Sequence, residues 1–174
     1  MPRRDFGVAI GLPEPFTSEL QGWRERLGDP FAHGIPPHVT LLPPTSLREQ
    51  DLPVVEGHLK AIAWGEAPFE VHLRGSGTFR PVSPVVFVSM VEGISQCERL
   101  AEVVRQGPLA VPVQYPYHPH VTVAHHMPET VMDRAFDELA GFDCTFGAAQ
   151  FQLYRHDEEN GWRPAREFAL APTS

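Results

Sequence analysis

Near the start of the chain Phe6, Val8, Ile10 and Leu12 alternate with Gly7, Ala9 and Gly11, the period of two expected of a strand with one buried face. The opposite face carries almost no side chain, which implies that something approaches it closely. Pro15 suits a first helical position, and Phe16, Leu20, Trp23 and Leu27 follow at helical spacing until Gly28 and Pro30. A loop through Phe31, His33 and Gly34 leads to a strand beginning at His38, expected to stop at Pro43-Pro44. Ser46 with Glu49 three residues on has the form of a capping box, opening a helix to about Trp64 with Pro53 as a point of restart. Phe69, Val71 and Leu73 against Glu70, His72 and Arg74 predict a half-exposed strand.

The same order then recurs. Val85 to Val91 reads as a buried strand, and Ser95 to Gln106 as a helix carrying Leu100, Val103 and Val104, closed by Gly107-Pro108. Pro112, Pro116 and Pro119 keep the stretch from Pro108 to His118 extended. A strand from His120 follows, then a helix opened by Pro128, holding Val131, Ala135, Phe136 and Leu139 and ended by Gly141. A strand from Phe146 to Tyr154 turns through Asp157 to Gly161 and returns as Trp162 to Leu170, a hairpin. Strand, helix, strand, helix, strand therefore occurs twice, but Leu73 to Val91 joins strand directly to strand. The expected fold class is α+β: one bilobal domain over residues 1–174, with halves of roughly 1–80 and 81–174. The halves form a pseudo-two-fold repeat of mostly antiparallel sheets around a central cleft.

Composition narrows the functions available. A chain of 174 residues with 42% apolar and 21% charged residues is ordinary for a globular protein, and no apolar run is long enough to span a bilayer. A net charge of −8 opposes tight binding to long duplex nucleic acid, leaving a small nucleotide or an RNA terminus as the partner. There is no Walker A loop and no dinucleotide-binding glycine fingerprint. Cys97 and Cys144 lack CxxC spacing and read as reduced thiols, so a cytoplasmic protein is expected, without a membrane partner and as a monomer.

The two strands that open on histidine carry nearly the same sequence, His38-Val39-Thr40-Leu41 and His120-Val121-Thr122-Val123. In a strand the His and Thr share one face while the aliphatic pair points the other way. With nine histidines in the chain, two such matches by accident are improbable, on the order of a per cent. Imidazole ionises near neutrality, so a neutral His can take a proton from an attacking oxygen while a protonated one gives a proton to the leaving oxygen. Two threonine hydroxyls can donate to phosphate oxygens where negative charge builds in the transition state.

Paired His-apolar-Thr-apolar motifs, one in each half of a chain this size, resemble the 2H phosphoesterase superfamily. Pro36 to Pro44, Pro-Pro-His-Val-Thr-Leu-Leu-Pro-Pro, is especially similar to its bacterial 2′-5′ RNA ligase-like branch of RNA 2′,3′-cyclic phosphodiesterases. The resemblance implies hydrolysis of a cyclic phosphodiester without a metal or other cofactor, and in some members 2′-5′ RNA ligation. It makes His38 and His120 the acid–base pair and Thr40 and Thr122 the phosphate ligands. Several members of that branch place an Arg five residues after the second His. Here the position is His125, followed by His126, and a charged imidazole there would be the phosphate contact. An aromatic often follows the first motif where this chain has Pro43, so base contact falls to Tyr115, Tyr117 or Phe79. Tyr117 joins Thr40, Thr122 and His125 as a candidate substrate-binding residue. The order of the two motifs does not say which His is base and which is acid.

Two other readings stay open. One is a non-catalytic module that keeps the cleft and binds a nucleotide or RNA end. The other is a metal-dependent hydrolase using the cluster His118, His120, His125 and His126, although His120 and His126 lie about 20 Å apart on a straight strand. His33, His58, His72 and His156 follow no motif and are expected at the surface or in loops.

Overall fold

The Gly-Ala-Gly alternation becomes β1 (Arg3–Gly11) in a computed structural model that describes residues 3–29, 34–112, 116–159 and 161–171. The elements that follow are α1 (Phe16–Arg26), β2 (His38–Arg48), α2 (Leu52–Trp64) and β3 (Phe69–Thr78). The second series is β4 (Val85–Glu92), α3 (Ile94–Val104), β5 (His120–His125), α4 (Glu129–Glu138) and β6 (Asp143–Ala148), and the chain closes with β7 (Gln150–Asp157) and β8 (Gly161–Ala169). Strand-helix-strand-helix-strand therefore occurs twice, followed by a hairpin. The strands form two four-stranded sheets ordered β2-β1-β7-β8 and β5-β4-β3-β6, antiparallel throughout.

Hydrophobic burial explains this arrangement. Phe6, Val8 and Ile10 of β1 pack in one apolar cluster with Val39, Leu41 and Leu42 of β2 and with Phe151 and Leu153 of β7. On the helices Val55, Leu59 and Ala63 of α2 and Cys97, Leu100, Ala101 and Val104 of α3 fall at helical spacing on their buried sides. The helices interlock the two sheets: α1 reaches β5 of the second, and α3 reaches β2 of the first.

Four sequence expectations need correction. Pro43-Pro44 do not stop β2, because β2 is the edge of its sheet and the prolines sit where pairing jumps from Leu42↔Val8 to Thr45↔Phe6. An edge bulge tolerates a missing backbone donor. Ser46 is no helix cap; it lies in β2 opposite Asp5, and its hydroxyl accepts from Arg3 at 2.9 Å. The helix begins at Leu52 after a 3-10 turn at Glu49–Asp51. Phe146 to Tyr154 is two strands in different sheets, β6 on β3 and β7 on β1. Its buried positions change phase at Ala149, from residues 144, 146 and 148 to 151 and 153. The sheets also do not divide near residue 80: β3 joins β4 and β6, whereas β7 and β8 return to β1. A strand with two apolar neighbours available pairs where its buried face is continued, and sequence order does not specify that choice.

The aliphatic residues of both motifs, Val39, Leu41, Val121 and Val123, are at most 1% exposed. Leu41→Ala is expected to lower the unfolding free energy by about 2–5 kcal/mol through the cavity it leaves, read from urea denaturation.

Candidate active site

Residues 36–43 and 118–125 share one burial pattern: exposed, buried, half-buried, buried, half-buried, buried, buried, exposed. Two consecutive buried residues break strict alternation and mark a bulge in each motif. On β2 the pairing skips between Thr40↔Ala9 and Leu42↔Val8, and on β5 between Thr122↔Phe87 and Ala124↔Val86. Each bulge buries both residues after the Thr, so the next residue returns to the side of the His and Thr. Pro43 and His125 therefore occupy equivalent places.

The repeat also extends backwards. Pro37 and Pro119 precede the two histidines, both buried, and a proline holds the residue before it extended. The carbonyl of that earlier residue meets the imidazole. His38 Nδ1 lies 2.9 Å from the Pro36 oxygen, and His120 Nδ1 lies 2.6 Å from the His118 oxygen. A carbonyl only accepts, so Nδ1–H is the donor in both rings and Nε2 is left as the titrating nitrogen.

β2 and β5 are edge strands of separate sheets, and side chains bridge them. The Tyr117 hydroxyl, from the segment entering β5, donates to the Thr40 carbonyl at 2.8 Å. Arg105 Nε, just beyond α3, donates to the Leu41 carbonyl at 2.9 Å, and its guanidinium stands 5.3 Å from the Tyr117 ring centre. Burial pushes the Tyr117 hydroxyl pKa well up, as suits a committed neutral donor. The hydroxyl of Tyr117, an expected substrate contact, therefore has its one donor occupied by backbone.

Burial favours the neutral form of both catalytic candidates. Desolvation lowers the His38 pKa most; the Pro36 bond opposes it, and the positive charges of Arg24 and His120 lower it further. Desolvation likewise lowers His120, opposed by its carbonyl bond and reinforced by His118. The charge of His120 acts on His38 and β2 lies against β5, so the two motifs are close to each other.

Sequence reasoning missed Arg24. At 7% exposure it is the buried charged side chain among the described residues, paired with Asp29 at 3.3 Å. It also donates to the Ile35 carbonyl at 2.5 Å, bracing the backbone that leads to Pro36 and His38. It sits one turn after Leu20 on the inward side of α1, where an Arg in a core row was the available signal.

The two sheets offer unlike floors. Beside His38 and Thr40 stand Gly11 and Ala9; beside His120 and Thr122 stand Ser89 and Phe87. What approaches the glycine face is Tyr154: its hydroxyl would be 3.6 Å from a Cβ on Gly11, and its ring centre is 6.4 Å from that of His38. The small-residue face of β1 was the sequence signal for it. On the other floor Phe87 lies over Gly77, where a Cβ would meet its ring at 2.5 Å. Phe79 lies 4.5 Å from Phe87, centre to centre, and 5.0 Å from His120, so it packs the His120 side.

The other histidines separate. His118 is exposed with its ring 5.7 Å from that of His120, while His125 meets His126 edge-on, 4.0 Å between ring centres, at the far end of β5. Burial lowers the His125 pKa, His126 lowers it further and Asp29 opposes both. Among the described residues no three His, Cys, Asp or Glu side chains converge as a metal set. His58 bonds the Val104 carbonyl at 3.1 Å, His72 pairs with Asp143 at 2.7 Å, and His156 packs on Trp162. Tyr115 and His33 lie outside the described residues.

The lowered pKa values carry a stability consequence. The unfolded chain binds protons near the ordinary imidazole value of 6.5, before the folded His38 and His120 do. Their contribution is therefore present above pH 6.5 and lost as pH falls toward the folded values. The denaturation midpoint is expected to fall between about pH 7 and pH 5, and to fall less in His38→Ala, by chemical denaturation at a series of pH values.

Comparison with known proteins agrees with this architecture. Residues 12–160 match the model of the 2'-5' RNA ligase superfamily. A provisionally named phosphoesterase of Halalkalibacterium halodurans is 31% identical over 154 residues, covering 88% of this chain and 83% of that protein. Another, from Bacillus cytotoxicus, is 30% identical over 171 residues, covering 97% and 98%. Among solved structures, E. coli LigT with 3'-AMP aligns with a TM-score of 0.72 at 20% identity, over 97% of this chain and 99% of that one. TT0787 of Thermus thermophilus aligns at 0.69 with 25% identity, over 98% and 100%. Among the described residues no helix is long and apolar enough to cross a membrane. With the match spanning both motifs and most of the chain, the chain belongs to the 2'-5' RNA ligase superfamily, the 2H phosphoesterases.

Proposed function

We propose that this protein opens a 2′,3′-cyclic phosphate, on a nucleotide or an RNA end, by two-histidine acid–base catalysis. The observation that carries the reading is the matched pair of imidazoles, each holding its Nδ1 proton on a carbonyl two residues upstream and each presenting Nε2 for proton transfer. His38 serves as the base, because desolvation and, beyond it, the buried cation Arg24 favour its neutral form, and His120 serves as the acid. His38 takes a proton from water as the water oxygen bonds phosphorus. The P–O3′ bond breaks, and protonated His120 gives its proton to O3′, leaving a 2′-phosphomonoester. The pair is then reset by proton exchange with solvent.

An anionic phosphodiester between the strands offsets the desolvation that disfavours a charged His120, so substrate itself supplies the condition for a protonated acid. Thr40 and Thr122 donate to the non-bridging oxygens. His125, brought to that side of β5 by the bulge, is a further phosphate contact that weakens as pH rises. The relatives' phosphoesterase names support the reaction class. LigT, a fold neighbour, has been crystallised with phosphate, 3'-AMP and ATP, which supports a nucleotide-sized ligand.

The test is a panel without added metal: 2′,3′-cyclic nucleotides, RNA with a cyclic-phosphate end, ADP-ribose 1″,2″-cyclic phosphate and 2′-5′ linked oligonucleotides. His38→Ala and His120→Ala are each expected to reduce hydrolysis by at least about a hundredfold, and Thr40→Ala and Thr122→Ala by less. A double histidine variant with wild-type turnover would contradict the mechanism, and product binding without turnover of any cyclic phosphate would favour the binding module.

A further inference from the structure

A recess of about 510 Å³ opens next to His38, between β1, the start of α1 and β7. It shares Pro36 and Pro37 with the backbone that orients His38, and Gly11, whose partner across the strand pair is His38 itself. Its walls are mostly proline and small residues, and its polar groups are Glu14, Thr17, Gln150, Gln152 and Tyr154. This volume, with apolar walls and a few convergent polar groups, is the make-up of a small-ligand seat.

Tyr154 distinguishes the recess from an incidental groove. The residue is 2% exposed, and its hydroxyl, which is not among the buried atoms, makes no hydrogen bond among the described residues, unlike that of Tyr117. Gln152 lies one row along on the same side of β7, opposite Ala9, and its amide makes no protein hydrogen bond among the described residues. Donors and acceptors left open in a half-covered recess suit a ligand that brings both, and a heteroaromatic base does so with a flat face for the apolar walls. On the other floor Phe79 and Phe87 pack against each other and against His120.

We propose that this recess seats the nucleoside of the ligand whose phosphate lies between His38 and His120, with the Tyr154 hydroxyl and the Gln152 amide as its polar contacts. This rests on the phosphate reading of the two motifs. It assigns base recognition to the β1–β7 side of the cleft, away from Tyr117 and Phe79. A nucleoside held there lies beside His38, and its phosphate reaches both motifs.

Calorimetric titration separates the two claims, using inorganic phosphate, ribose 2-phosphate and adenosine 2′-monophosphate. The nucleotide is expected to bind at least about tenfold tighter than ribose 2-phosphate. Tyr154→Phe, which keeps the ring and its packing, and Gln152→Ala are each expected to remove most of that advantage while shifting ribose 2-phosphate affinity by less than about twofold. Equal affinity for nucleotide and ribose 2-phosphate, or variants that weaken both alike, would overturn the nucleoside seat and leave the phosphate site standing. Failure of all three ligands to bind would overturn the phosphate reading and the seat with it.

Discussion

The hydrogen bond from each motif imidazole to the carbonyl two residues before it is the contact on which the candidate chemistry depends. Pro36 to His38 and His118 to His120 are built alike: a buried proline forces an extended residue ahead of it, and the carbonyl that results fixes the ring. Without that bond a half-buried imidazole could hold its proton on either nitrogen and turn about its side-chain torsions. With it, one tautomer and one titrating nitrogen are set on each strand before any ligand arrives. Preorganisation of this kind is what proton transfer within a cleft requires.

Two edge strands from different sheets have no ladder to hold them in register, so their relation is set elsewhere. Tyr117 and Arg105, on the β5 and α3 side, donate to the carbonyls of Thr40 and Leu41, which follow His38 on β2. From behind, Arg24 and Asp29 brace the segment that enters β2. The motif strands are thus tied through their backbones and leave their His and Thr faces open. The cost is a buried cation near His38, which adds to desolvation in favouring the neutral imidazole and has no counterpart at His120.

Much of this was legible in sequence because it follows local periodicity. The alternation in β1, the helical spacing of Leu20, Trp23 and Leu27, and the doublet at His38 and His120 each depend on neighbours in the chain. What failed depended on partners far away. Pro43-Pro44 read as a stop because sequence does not reveal that β2 is an edge strand. The pairing of β3 with β4, and of β7 with β1, is chosen by the continuity of a buried face across the sheet. Tyr154 was announced only indirectly, by the missing side chain at Gly11. The eight-residue repeat was partly visible in Pro37 and Pro119, but its two bulges were not: strict alternation puts His125 on the wrong side of β5, and the pairing with β4 restores it.

The central claim is that His38 and His120 act on one phosphate. Nuclear magnetic resonance of the two imidazoles during titration with inorganic phosphate tests it most directly. Both rings are expected to shift together along a single binding curve with one dissociation constant, and both pKa values to rise from below 6.5 in the bound state. Response of one ring alone, or two curves with separate dissociation constants, would contradict the account.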